Sequence, residues 1–193
     1  MTFVKPKAVR DYPWWVRLFF WKQRRTYGVV LDPGLLWART PTVFATVALL
    51  YGALNRRRSP LSPALRSLVT VRVSQINHCA FCVDINAHTL RQRGVPLSKV
   101  EALADWRQSR LFDDTERLAL DYAEAMTRPD PGVDDDLRAR LAQRFDEDTV
   151  VELTGLIAFQ NLSSKFNAAL DVPPQGFCKL PAPRDTTADA AAD

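Results

Sequence analysis

The chain has 193 residues, 47% of them hydrophobic, with a net charge of +4 and a pI near 9.1. That length suits one domain of roughly 100–200 residues with a full apolar core. Only seven glycines beside ten Phe, five Trp and four Tyr argue against a turn-dense β fold. The positive balance is mild and its arginines are scattered, apart from Arg24-Arg25 and Arg56-Arg57-Arg58, so no nucleic-acid surface is expected.

Taken in chain order, residues 1–58 read as an N-terminal helical extension. Trp14, Trp15, Leu18, Phe19 and Trp21 load a short helix with aromatic bulk, and Lys22, Arg24 and Arg25 sit toward its C-terminal end, where the dipole favours cations. Asp32-Pro33-Gly34 signals a turn. Pro41 opens a second apolar segment, Val43 to Leu54, in the position that suits proline at a helix start. No secretory signal is visible, because Arg17 interrupts the first apolar stretch. The uncharged run Pro41 to Asn55 falls short of the about 20 residues that a membrane span needs. A cytoplasmic location is therefore expected.

Residues 59–172 form the expected helical domain. Leu65, Leu68, Val69, Arg72, Val73 and Ile76 recur at three-to-four spacing, although their β-branched content also permits a strand. Asn77 is placed to cap a helix from about His78 to Arg93, stopped by Gly94. Ser98 to Glu101 and Asp113 to Glu116 both read as capping boxes, the first before a short helix ending near Trp106. Asp134 to Phe145 repeats Leu137, Leu141 and Phe145, and a long last helix runs from about Asp148 to Leu170. Residues 173–193 are a Pro-, Ala- and Asp-rich tail, expected to be disordered from about residue 180. The fold class is all-α.

The chemistry concentrates in Asn77-His78-Cys79-Ala80-Phe81-Cys82. Two thiols three apart on a helix share nearly one face and can close a disulfide. At a helix start, unpaired amides and the positive dipole end stabilise a thiolate. In the cytoplasm such a pair points to redox chemistry or metal rather than a structural disulfide. A zinc site needs four ligands, and His78, His88 and Cys178 have no recognised spacing to complete one. Two inert buried thiols are the remaining alternative. No glycine-rich fingerprint or haem-attachment motif occurs, so no cofactor is expected.

Leu65 to Asn86, with Gly94 closing the helix, resembles the core motif of the AhpD-like alkylhydroperoxidase and carboxymuconolactone decarboxylase superfamily. So do Phe112 to Arg117, Ala125-Met126-Thr127, Leu156 to Leu162 and Phe166-Asn167. The resemblance covers about residues 60–170. It implies an AhpD-like helical bundle, here with an additional N-terminal segment, assembled as a trimer or hexamer. It also implies that Cys82 attacks a peroxide and Cys79 resolves it, with electrons from a dithiol donor or passed on through a peroxiredoxin partner. Two alternatives stay open: a carboxymuconolactone-decarboxylase-like enzyme, and a non-catalytic, oligomeric redox-sensing relative.

The sequence departs from the superfamily's proton relay. Asn86 stands where the relay histidine is expected, four residues after Cys82, and Ser67 stands where the glutamate is expected, twelve before Cys79. His88 is rotated about 240° from Cys82 around the helix. His78 is the candidate base beside the thiols, and Arg72 a candidate fixed charge or ion-pair partner. Asn86 keeps a hydrogen-bonding group on the cysteine face. Asn161 either lines a cavity or bridges helices, and Asp84 reads as a partner for the helix dipole.

Overall fold

The computed structural model describes residues 2–130 and 132–178. Nine α-helices and no strand are found among them: α1 (Trp14–Tyr27), α2 (Asp32–Trp37), α3 (Pro41–Leu54), α4 (Pro63–Ile76), α5 (Ala80–Gln92), α6 (Leu97–Glu101), α7 (Asp114–Thr127), α8 (Asp135–Arg144) and α9 (Glu147–Ala169). None of these helices is long and apolar enough to cross a membrane. The disorder expected beyond about residue 180 falls outside the described residues.

α4 is the centre of the bundle. The strand that its Val content allowed does not form; Ser62 caps a helix instead, accepting from the Leu65 amide at 3.2 Å. Its sides are buried against α5, α7 and α9, so it meets apolar neighbours nearly all round. Val69 and Val73 join Ala119, Ala123, Leu153 and Ile157 on one flank. Leu68 and Val71 join Leu90, Leu103, Trp106 and Leu120 on the other. A third cluster, in the N-terminal segment, packs Tyr12, Val16 and Phe20 against Phe44 of α3.

Several helix starts follow their acidic caps. Asp113 and Glu116 make both halves of the capping box, and Asp134 and Asp146 cap α8 and α9. Others differ from the sequence reading. Asp32-Pro33-Gly34 does not turn the chain but opens α2, with proline in its first turn. Ser98 caps nothing: α6 starts one residue earlier, after Pro96, and runs into a 3₁₀ stretch, Ala102–Gln108, kinked at Asp105. α9 starts at Glu147, one residue ahead of the expected Asp148.

Charge enters this core only with partners. Arg72 of α4 donates through Nε to Glu124 of α7 at 2.6 Å, and Glu124 also accepts from Trp106 and Arg107. Burial pushes the Glu124 carboxyl up, yet the Trp106 and Arg107 hydrogen bonds and Arg72 outweigh it and hold the group below the usual carboxylate range. Arg66 is buried likewise and donates to the Leu54 and Arg56 carbonyls, closing the C-terminal end of α3.

Glu124→Gln leaves Arg72 buried without a counter-charge and is expected to cost about 3–5 kcal/mol in urea unfolding at neutral pH. A depressed folded-state pKa contributes stability above the unfolded carboxylate pKa, and that contribution is lost as pH falls through the folded value. The gap between wild type and variant should therefore narrow on acidification. A variant as stable as wild type at pH 7 would contradict this account.

Candidate active site

The dithiol sits where α4 ends and α5 begins. α4 finishes at Ile76 with Asn77 as its C-cap, and His78 takes the left-handed conformation with φ 51°. The His78 amide donates to Gln75 O and the Cys79 amide to Ser74 O, the paired bonds of a Schellman turn. Cys79 is at once the residue that completes this turn and the N-cap of α5. Its sulfur accepts from the Cys82 amide at 3.2 Å, as a cap serine would. Asn77, expected to be the cap, instead donates from Nδ2 to Asn161 Oδ1 and Ser164 Oγ, both at 2.8 Å.

This geometry polarises the two sulfurs. The Cys82 thiol donates to Cys79, and the Cys82 and Phe81 amides and the Asn167 side chain add to it; together they outweigh burial and lower the Cys79 thiol below its ordinary value. Cys82 is pushed up, first because its proton is engaged by Cys79, then by burial and the neighbouring charge. Of the two sulfurs, Cys79 is the one on which negative charge is favoured.

Both sulfurs are enclosed, at 1% and 2% residue exposure for Cys79 and Cys82. Leu36 of α2, Phe81 of α5 and Val172 complete the buried cluster, with Ile85, Phe166 and Leu170 around them. Trp37 stacks on Phe166 with ring centroids 3.6 Å apart. The N-terminal segment therefore packs on its own chain, over the thiols. From the other end of the chain, Asp84 grips residues 175–178. Its Oδ2 accepts from the Gln175, Gly176 and Phe177 amides at 2.7–3.1 Å, and its Oδ1 from the Cys178 amide at 2.6 Å. Asp84 is thus a clamp for a chain segment rather than a dipole partner. Gln175 accepts from the Asp32 amide, tying the two terminal segments together.

The other candidate residues are dispersed. The His78 ring is exposed and makes no hydrogen bond to either sulfur among the described contacts. Arg72 is engaged by Glu124. Asn86 donates to Ser74 Oγ at 3.4 Å, and Asn161 bridges Asn77 and Thr127. Ser67, in the glutamate position, accepts from Arg93 at 2.7 Å. His88 pairs with Gln92. No three His, Cys, Asp or Glu side chains gather as a metal-binding group among the described residues.

The sequence reading overlooked Asn167, which donates from Nδ2 to Cys82 Sγ at 3.1 Å. A polar residue on the buried face of a long apolar helix, in register with Gln160 and Ser164, was the available signal.

Alkylation of the reduced protein with iodoacetamide as pH is raised should label Cys79 first, with a titration below the ordinary thiol value of about 8.5. In Cys82→Ser, which replaces the sulfur donor by a hydroxyl, Cys79 should remain reactive. First labelling at Cys82 would contradict the charge distribution described.

Residues 41–125 match the model of the carboxymuconolactone decarboxylase family. The chain is 51% identical to the uncharacterized protein YnjA of Escherichia coli (strain K12) over 164 residues, 85% of this chain and 90% of that protein. Among solved structures, an AhpD-core, peroxidase-related protein from Ralstonia eutropha JMP134 superposes with a TM-score of 0.82 at 19% identity, covering 91% of this chain and 94% of that one. ATU0492 from Agrobacterium tumefaciens, proposed there to be an AhpD antioxidant defence protein, superposes with a TM-score of 0.68 at 26% identity over 72% of this chain and 94% of its own. With the helical fold and the cysteine junction both in place, the chain belongs to the carboxymuconolactone decarboxylase family, within the AhpD-like superfamily.

Proposed function

We propose that this protein is a dithiol peroxidase: Cys82 reduces a hydroperoxide, Cys79 resolves it as a disulfide, and a dithiol donor or a peroxiredoxin partner exchanges with that disulfide. The observation that carries the reading is the reduced sulfur pair at a helix start, with the Cys82 amide donating to the Cys79 sulfur inside an apolar enclosure. The reading places the protein in the cytoplasm, where donors keep such a pair reduced.

The pair can supply the proton acceptor that Ser67 and Asn86 do not. Charge resides first on Cys79, and the Cys82 thiol already donates to it. Transfer of that proton to Cys79 leaves Cys82 as the thiolate. Its sulfur attacks the terminal, hydrogen-bearing oxygen of the hydroperoxide: an S–O bond forms, the O–O bond breaks, and the alkoxide leaves with the proton held by Cys79. The Cys79 thiolate then attacks the sulfenic Cys82, forming the S–S bond and expelling hydroxide, which solvent protonates to water. Two thiols lose two electrons, and one hydroperoxide becomes an alcohol and water. A dithiol donor restores the pair by two exchange steps. His78, exposed beside Cys79, can return protons to solvent during that exchange. Arg72 and Asn161 hold the helices that carry the thiols, and Asn86 fixes Ser74 beneath α5.

Because both sulfurs are enclosed, substrate entry requires movement of the segment carrying Leu36 and Trp37. Exposed apolar side chains support self-association of the trimer or hexamer kind. Trp14, Leu49 and Val151 are each more than 70% exposed.

Cumene hydroperoxide added to the reduced chain should give one Cys79–Cys82 disulfide by mass spectrometry. Cys82→Ser should lower the single-turnover rate about a thousandfold or more. Cys79→Ser, which removes both the proton acceptor and the resolving thiol, should consume one peroxide more slowly and accumulate a dimedone-reactive sulfenic acid at Cys82. Thiols that stay reduced in wild type would sink the reading in favour of a decarboxylase-like or non-catalytic role. For self-association, Leu49→Glu should lower the mass seen by light scattering while leaving dithiol reactivity intact, and an unchanged mass would contradict that interface.

A further inference from the structure

Asn167 is a buried amide with one of its two ends unused. Its side chain leaves α9 toward the thiols, and only 1% of the residue is exposed. Nδ2 donates to the Cys82 sulfur at 3.1 Å, whereas Oδ1, equally buried, has no hydrogen-bond partner among the described residues. Buried amide oxygens are rarely left unpaired. The backbone here offers no relief, because α9 ends in a second left-handed turn, with Asp171 at φ 52° and the Val172 amide donating to the Asn167 carbonyl at 3.0 Å.

The surroundings define what could complete this amide. Leu36, Phe81 and Val172 are buried beside the sulfurs, and Phe166, itself stacked by Trp37, adjoins them. A ligand that reaches Oδ1 must present an O–H or N–H donor next to Cys82 and an apolar body to the remaining walls.

We propose that Asn167 is a catalytic residue that selects apolar organic hydroperoxides: its Oδ1 accepts the peroxide O–H while its Nδ2 donates to the Cys82 sulfur. One carboxamide then touches both the attacking atom and the attacked oxygen, since the hydrogen-bearing oxygen is the one that Cys82 takes. The S–O bond forms between two atoms held by the same planar group, the O–O bond breaks, and the alkoxide takes the proton held by Cys79 and departs as the alcohol. Hydrogen peroxide offers the same O–H but no apolar body to bury, so an alkyl or aryl hydroperoxide is the preferred class. This inference rests on the dithiol peroxidase reading.

The test is single-turnover oxidation of the reduced full-length chain by cumene hydroperoxide, by hydrogen peroxide and by an aromatic disulfide, 5,5′-dithiobis(2-nitrobenzoate), which has no O–H at its reacting atoms. Rates are compared at equal thiolate fraction in wild type, Asn167→Leu and Asn167→Asp. Wild type should prefer cumene hydroperoxide over hydrogen peroxide by about tenfold or more. Asn167→Leu, similar in shape, should lose about a hundredfold with cumene hydroperoxide and keep its rate with the aromatic disulfide. Asn167→Asp keeps the oxygen acceptor and should retain the hydroperoxide preference, with thiolate forming at higher pH because a carboxylate faces it. Equal losses with both oxidants in Asn167→Leu, or loss of the preference in Asn167→Asp, would overturn the inference and leave the dithiol reading standing. A wild type that reacts with the aromatic disulfide but with neither hydroperoxide would overturn the dithiol peroxidase reading, and the role of Asn167 with it.

Discussion

The structure turns on one backbone constraint, the junction at which only Asn77, His78 and Cys79 separate α4 from α5. His78 takes a left-handed conformation that non-glycine residues adopt at some cost, and Cys79 closes one helix while capping the next. A cap must offer an acceptor to the amide three residues on. Here that acceptor is a sulfur and the amide belongs to the second cysteine, so helix initiation and dithiol geometry become one arrangement. Nothing further along α5 is needed to bring the sulfurs together.

Around that junction the two ends of the chain act together. Asp84, two residues beyond Cys82, draws four consecutive backbone amides of residues 175–178 onto one carboxylate. Gln175 in that segment reaches the start of α2, and α2 supplies Leu36 and Trp37 above the thiols. The left-handed turn at Asp171 folds Val172 back onto the same cluster. The enclosure is thus assembled from segments distant in sequence but tied to α5 by hydrogen bonds. It keeps water from the sulfurs, which raises the weight of the few polar contacts there, among them the α5 amides and the Asn167 and Ser163 side chains. Strained residues gathered at two helix ends beside the thiols fit a site that stores strain where chemistry occurs.

Much of the bundle was legible because it follows from local rules. Asp113 and Asp134 precede the apolar repeats that start at Leu118 and Leu137, and α7 and α8 begin one residue after them. The Leu68, Val69 and Val73 spacing resolved as helix because α4 is buried on nearly every side, which a half-exposed strand would not allow. The cysteine pair at a helix start was legible from its spacing, and the structure places both sulfurs there. What sequence could not supply was tertiary partnership. Asn77 and Cys79 both have cap chemistry, and the choice between them depends on Asn161 and Ser164 taking the amide of Asn77. Asp84 had no local partner, because its partners lie about ninety residues on. Asn167 and Glu124 were hidden in apolar helices for the same reason: each meets its partner across the bundle, at separations of 85 and 52 residues.

The central claim is that Cys79 and Cys82 form a reversible two-electron couple in the folded protein. Its most direct test is a redox titration of the full chain against mixtures of lipoamide and dihydrolipoamide, with the state of each cysteine read by alkylation and mass spectrometry. The account predicts a single transition in which Cys79 and Cys82 change together, two electrons per chain, fully reversible in both directions. Thiols that stay reduced across the series, or that oxidise separately to different partners, would contradict it.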